Sequence, residues 1–139
     1  MPRNNKSLTV EDLWKIERIG APSLSPDGTR AVAAVTRHAM KDNKSRSSLW
    51  LFSTVGGEPR ELTRCGDKDG QPLWSPHGEQ IAFVARREQQ GAKDDEAQLY
   101  VIRADGGEAR RAGSIATGVE AFRWFPDGKR AAFVSWVWP

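Results

Sequence analysis

A serine peptidase or esterase needs a hydroxyl on a sharp strand-to-helix turn and a histidine to take its proton. No serine here has glycine two residues before it, so the sequence holds no Gly-x-Ser-x-Gly elbow. There are two histidines. His77 occupies the aspartate position of a repeated turn and reads as a turn residue, while His38 falls in 37–48, which reads as a solvated loop. Asp67-Lys68-Asp69-Gly70 has the acidic opening of a calcium loop, but Pro72 stands where that motif needs its turn glycine and no closing glutamate follows at the right distance. It reads as a loop. The single cysteine, Cys65, cannot form an internal disulfide, agrees with a reducing compartment and has no histidine nearby, so it reads as an incidental thiol. Dinucleotide and P-loop glycine patterns are both missing. The residues therefore assign no catalytic, cofactor-binding or metal-binding position, and no cofactor.

Charge gives little more. A formal net charge of +3 invites a nucleic-acid reading. The clusters are modest, however: Arg37, Lys41, Lys44 and Arg46 stand against Asp42, and 86–96 mixes three basic with four acidic residues. Both read as solvated rim, and no nucleic-acid partner is expected. Apolar content of 38% and charged content of 28% are those of a soluble globular chain. No stretch approaches the roughly 18 apolar residues of a membrane span. Met1 to Ser7 is basic but leads into an amphipathic segment rather than a secretory core, so a cytoplasmic location and no membrane partner are expected.

What the chain does carry is a repeat. Ser25-Pro26-Asp27-Gly28, Ser75-Pro76-His77-Gly78 and Phe125-Pro126-Asp127-Gly128 each follow the last by 50 residues, and the same gapless shift pairs Leu49 with Leu99, Trp50 with Tyr100, Gly56-Gly57-Glu58 with Gly106-Gly107-Glu108 and Trp74 with Trp124. Proline sets φ at the first central position of each turn, and glycine supplies positive φ, so the motif predicts a type I turn closing a hairpin. In the second unit the strands fall at Leu73-Trp74, Gln80 to Ala85, Gln98 to Ile102 and Glu108 to Arg111. Four antiparallel strands per unit make a propeller blade. WD-type blades are shorter and carry Gly-His and Trp-Asp pairs; kelch blades place their glycine pair after the second strand, not the third.

The expected fold is all-β: an incomplete β-propeller of about two and a half four-stranded antiparallel blades with one short N-terminal helix. The units are a tail and amphipathic helix over 1–20 and a partial propeller over 21–139, with a blade at 21–70, a blade at 71–120 and the first hairpin of a third at 121–139. Thr9 with Asp12 makes a capping box, Leu8 can staple on Leu13, and Val10, Leu13 and Trp14 give an apolar face ending at Gly20, predicting about three helical turns. Propellers close with four or more blades, so an open blade edge is expected to drive self-association of this chain.

Taken together, Leu8-Thr9-Val10-Glu11-Asp12-Leu13-Trp14, the segment Gly20 to Gly28, Leu49-Trp50-Leu51-Phe52 followed by Gly56-Gly57-Glu58-Pro59-Arg60-Glu61-Leu62-Thr63, and Ser135 to Pro139 resemble the start of acylaminoacyl-peptidase-like members of the prolyl oligopeptidase family of serine peptidases. The resemblance runs from about Ser7 onward, and the blade pattern alone is shared with TolB-like propellers. It implies a two-domain cytoplasmic enzyme in which a propeller, usually of seven blades, caps an α/β-hydrolase domain carrying the Ser-Asp-His triad. That hydrolase domain and short, possibly N-acylated peptides would be the partners. No catalytic motif of the family has a counterpart in these residues, so this chain would contribute gating. A TolB-like protein-binding propeller is the alternative.

Overall fold

The computed structural model describes residues 6–64, 66, 68–89 and 91–139. The readings of Cys65 and Asp67 lie outside the described residues. In chain order the elements are α1 (Val10–Lys15), β1 (Arg18–Ile19), β2 (Ser23–Leu24), β3 (Arg30–Ala39), β4 (Lys44–Ser53), β5 (Arg60–Glu61), β6 (Gly70–Trp74), β7 (Gln80–Ala85), β8 (Glu88–Gln89), β9 (Ala92–Lys93), β10 (Gln98–Arg103), β11 (Arg110–Arg111), β12 (Ala121–Trp124) and β13 (Ala131–Val134). The second blade is the antiparallel meander β6-β7-β10-β11. The first is β3-β4-β5 with β1 and β2 sharing the inner edge of β3, and the third is the hairpin β12-β13. An all-β, incomplete propeller is what the repeat predicts, and it is what forms.

The turns explain the period. Gly28, Gly78 and Gly128 donate to the carbonyls of Ser25, Ser75 and Phe125 at 2.9, 3.0 and 3.0 Å. All three glycines have φ between 65° and 75°, a backbone that a side chain would strain. In the first turn Ser25 Oγ donates to Asp27 at 2.6 Å and accepts from the Arg30 amide at 3.0 Å. The Ser25 hydroxyl first, then the Thr29 amide and hydroxyl, bring the Asp27 carboxyl down to about 2.

Inner strands repeat as well. Gly20 pairs with Ala34, Gly70 with Val84 and Glu120 with Val134, each 50 residues on. Proline cannot donate to a ladder, so each proline-bearing inner strand breaks there. The first splits into β1 and β2 at Gly20-Ala21-Pro22, and the second shifts register between Gly70 and Leu73, across Pro72.

Packing follows from alternation along the strands. Ile81, Phe83, Tyr100 and Ile102 face the first blade and join Val32 and Leu49 in one core; Ala82, Val84 and Val101 face the third hairpin and join Val119 and Phe122 in another. Both faces of the second blade are thereby covered.

Two expectations need correcting. The helix has six residues rather than three turns: the capping box forms, with the Asp12 amide donating to Thr9 Oγ1 and the Thr9 amide to Asp12, but Ile16 is already extended. Arg18 and Ile19 instead pair with Thr36 and Val35, because β3 offers a long free edge and a six-residue helix offers few bonds in exchange. Nor is 37–48 a loop. β3 and β4 stay in register to Ala39 and Lys44, forming a projecting hairpin arm whose tip turns at Asn43, φ 49°. Phe83→Ala is expected to cost about 3–5 kcal/mol, whereas Val55→Ala, on an exposed turn, should stay within about 0.5 kcal/mol. Matching urea midpoints for the two would contradict the inter-blade placement of Phe83.

Candidate functional site

The residues with possible chemistry are scattered. His38 is a strand residue, not a solvated loop histidine: its ring meets Trp14 of α1 edge-on at 5.8 Å, and Nε2 is sealed without a hydrogen-bond partner among the described residues. His77 sits in its turn as expected and reaches the next one, with Nε2 3.3 Å from the Asp127 carbonyl. Neither histidine bonds a hydroxyl among the described residues, and no group there of three or more His, Cys, Asp or Glu is placed to hold a metal. Among the described residues no helix is long and apolar enough to cross a membrane.

The most developed polar constellation lies at the end of the second blade opposite the repeated turns. Arg87 forks onto Asp69, with Nη2–Oδ2 at 2.7 Å and Nε–Oδ1 at 3.3 Å, and its guanidinium lies 5.2 Å from the Phe83 ring centre and 5.6 Å from that of Tyr100. The pair is buried, the side chains being 10% and 0% exposed. Next to it Asp94 accepts from Tyr100 Oη at 2.5 Å, Arg111 Nη1 at 2.6 Å and the Arg87 amide at 3.1 Å. Two guanidinium groups and two carboxylates balance, which is the condition for burying such charges. Asp69 therefore belongs to an ion pair, and 86–96 is not merely solvated rim.

Burial pushes the Asp94 carboxyl up, but the hydrogen bonds from Tyr100, the Arg87 amide and Arg111, with the charge of Arg111, outweigh it and hold the group below the usual carboxylate range. Burial, and then the Asp94 hydrogen bond and charge, raise the Tyr100 hydroxyl well above the usual tyrosine range. Neither group is tuned for proton transfer near neutrality. The cluster instead fastens three things together: the segment before β6, the loop carrying β8 and β9, and the outer strand β11.

The first blade holds a counterpart. Arg37, 50 residues before Arg87, bonds Glu17 at 2.7 Å and lies 5.0 Å from the centre of Trp50, the repeat partner of Tyr100. There both members are 52% exposed. The sequence shift does pair Arg37 with Arg87 and Trp50 with Tyr100, a signal that could have flagged the arginines. It misses the acids, since Glu17 and Asp69 are 52 residues apart.

Two clefts flank the second blade. One, of about 650 Å³, opens between the outer parts of the first two blades and is edged by Arg60, Arg64, Glu61, Asp105 and Glu108. The other, of about 530 Å³, lies between the second blade and the third hairpin, with Leu99, Val101, Trp124 and Phe133 on its walls. Each can receive an extended segment; neither brings a nucleophile and a base together.

No family model matches the chain. Over 56 residues it is 36% identical to dipeptidyl-peptidase 5 of Porphyromonas endodontalis, covering 40% of this chain and 8% of that one. Among solved structures it is similar to an acylaminoacyl peptidase of Pyrococcus horikoshii, with a TM-score of 0.69 and 18% identity over 88% of this chain and 18% of that one. It also superimposes on the β-propeller domain of the trilobed protease from Pyrococcus furiosus, at a TM-score of 0.64 and 17% identity over 86% of this chain and 34% of that domain. A third match is a putative TolB from Agrobacterium tumefaciens, at 0.62 and 23% over 82% and 37%. The fold is that of these propellers, and the chain spans less than two fifths of each protein matched.

Asp94→Asn should cost about 3–5 kcal/mol at neutral pH, because it removes the negative charge opposite Arg111 and leaves one acceptor oxygen where two serve Tyr100, the Arg87 amide and Arg111. The sign with pH is fixed by the lowered carboxyl. Its stabilisation is complete above the unfolded value of about 3.9 and is lost as pH falls through the folded one. Urea midpoints measured down an acid series should therefore begin to converge for native and Asp94→Asn chains below about pH 4 and meet only under the lowered folded value. A gap that persists in acid would show that the carboxylate charge is not what the cluster uses.

Proposed function

We propose that this chain is the leading part of the propeller of a cytoplasmic serine peptidase acting on short, possibly N-acylated peptides. In this reading the propeller gates access to an α/β-hydrolase domain encoded beyond Pro139. The observation that carries it is the superposition on the Pyrococcus horikoshii acylaminoacyl peptidase, which takes in 88% of this chain and 18% of that enzyme. The stretch shared with a dipeptidyl-peptidase supports it from sequence. The chemistry would be acyl transfer by a serine outside these residues. What the present residues supply is a rigid wall: stacked turns at one end, a fastened cluster at the other, and clefts between blades that admit extended segments and not globular ones.

The likeness to a TolB propeller favours a second reading, a noncatalytic module that binds a protein through its loops. The coding DNA beyond the Pro139 codon separates the two. A reading frame with Gly-x-Ser-x-Gly followed by aspartate and histidine is expected. The protein it encodes should label with a fluorophosphonate and cleave acetylated or free di- and tripeptides. A frame that continues through propeller repeats and stops, giving a product inert to the fluorophosphonate, would overturn the peptidase reading in favour of the binding module.

A further inference from the structure

Helix α1 buries none of its residues. It is held against β3 through the Trp14 ring, edge-on to His38 at 5.8 Å, and through the Glu17–Arg37 ion pair one strand position before. By alternation His38 lies on the face of β3 that carries Val32 toward the second blade, and Arg37 lies on the other. The atom that decides the contact is His38 Nε2, which is sealed from solvent and bonds nothing among the described residues. A neutral ring with its proton on Nδ1 leaves Nε2 a bare acceptor, which is tolerable. An imidazolium would instead hold a donor and a charge there with no acceptor. The neighbours make that worse. Beside and across the ladder from His38 stand Arg37, Arg46 and Lys44, with Ser45 directly opposite. Asp12 is engaged by Thr9 and Lys15, Glu17 by Arg37, and Asp69, toward the second blade, by Arg87. Glu11 on α1 and Asp42 at the arm tip are exposed, and no carboxylate among the described residues bonds the ring.

We propose that α1 is a proton-released latch on the arm, docked while His38 is neutral and freed when the ring takes a proton. The sign follows from the sealed nitrogen. The docked state excludes the second ring proton and the released state, with the ring in water, accepts it, so acid shifts the population toward release. Histidine is the side chain that changes charge between about pH 5 and 8, whereas carboxylates ordinarily change nearer about pH 4. The other histidine, His77, is at the turn end of the blades, away from α1. Release frees Leu13, Trp14 and Ile16 together and takes the brace from the arm, so it alters the end of the blades where the connections vary. The device lies within the first blade and does not depend on the proposed peptidase function.

Two-dimensional NMR of the 139-residue chain, titrated from about pH 7.5 to about pH 5, tests this. The expected result is that proton–proton contacts between the Trp14 indole and the His38 ring, present at the upper pH, vanish in one step with the shift of the His38 ring protons. The Ile16 amide should move in the same step, and the Ile81 amide, in the core, should not. His38→Phe keeps a ring against Trp14 without a titratable nitrogen and should stay docked across the range; Trp14→Ala should hold the Ile16 amide at its released position throughout. The Ile81 signal checks that each variant is folded, and the titration of the native chain stands even if one of them is not. Trp14–His38 contacts that are missing at the upper pH, persist at the lower one, or fade out of step with the His38 ring would overturn the proposal, as would release of α1 by acid in His38→Phe.

Discussion

A four-stranded blade whose middle strands are apolar on both sides cannot satisfy itself. Its sheet closes the backbone hydrogen bonds within the blade, but two apolar faces remain, and only neighbouring blades can cover both. The second blade shows the satisfied case, with every residue of β7 from Ile81 to Ala85 buried between two cores. Fifty residues later the same positions, Ala131 to Val134, are half-buried or exposed, because among the described residues no further blade is stacked on their outer face. Identical local chemistry thus yields two environments. Neighbours, not propensity, decide between them.

The polar end of each blade obeys a related rule. An arginine that leaves the second strand over an aromatic ring needs an acid to complete it, and the two blades supply that acid differently. Around Arg37 the partner is Glu17, in water, where such a pair contributes little. Around Arg87 it is Asp69, buried, where an incomplete pair would be costly. The aromatic differs in step. The Trp50 indole donates to nearby Ser48, whereas the Tyr100 hydroxyl donates to Asp94, which draws in Arg111. The larger cluster follows from covering the face, since buried polar groups must each find a partner.

The repeat, the turns, the strand positions of the second blade and the apolar middle strands were legible because each rests on a local rule: proline and glycine at fixed turn positions, and alternation along a strand. The Thr9 capping box was legible for the same reason. What was not legible depended on competition between segments. Helix α1 stops at Lys15 because the edge of β3 captures Arg18 and Ile19, and nothing within 10–20 announces that edge. The arm over 37–48 reads as polar loop, yet the β3–β4 ladder continues through it in the pairs Arg37–Arg46, His38–Ser45 and Ala39–Lys44, with the Thr36 and Ser47 hydroxyls bonded at its base at 2.7 Å. From sequence Asp69 reads as a loop residue, Arg87 and Asp94 as solvated rim, and Arg111 as the end of a polar strand. Their convergence is set by loops whose course no periodicity records.

These differences fall on opposite ends of the blades, and that distribution bears on function. Turns that join first to second and third to fourth strands lie at one end, where Pro26 packs on Gly78, His77 on Gly128, and Arg60 bonds the Ala104 and Asp105 carbonyls of the next blade. That end is nearly invariant from unit to unit, since each turn is part of its neighbour's packing. At the other end the second-to-third connections range from the tight arm of the first blade to the loop of the second that holds β8 and β9, and the fastened cluster lies there too. Loops can change only where they are not also the packing surface. A peptidase cap and a protein-binding propeller built on this repeat would therefore share their turn end and differ at the arm end, and it is at the arm end that this chain carries its buried charges.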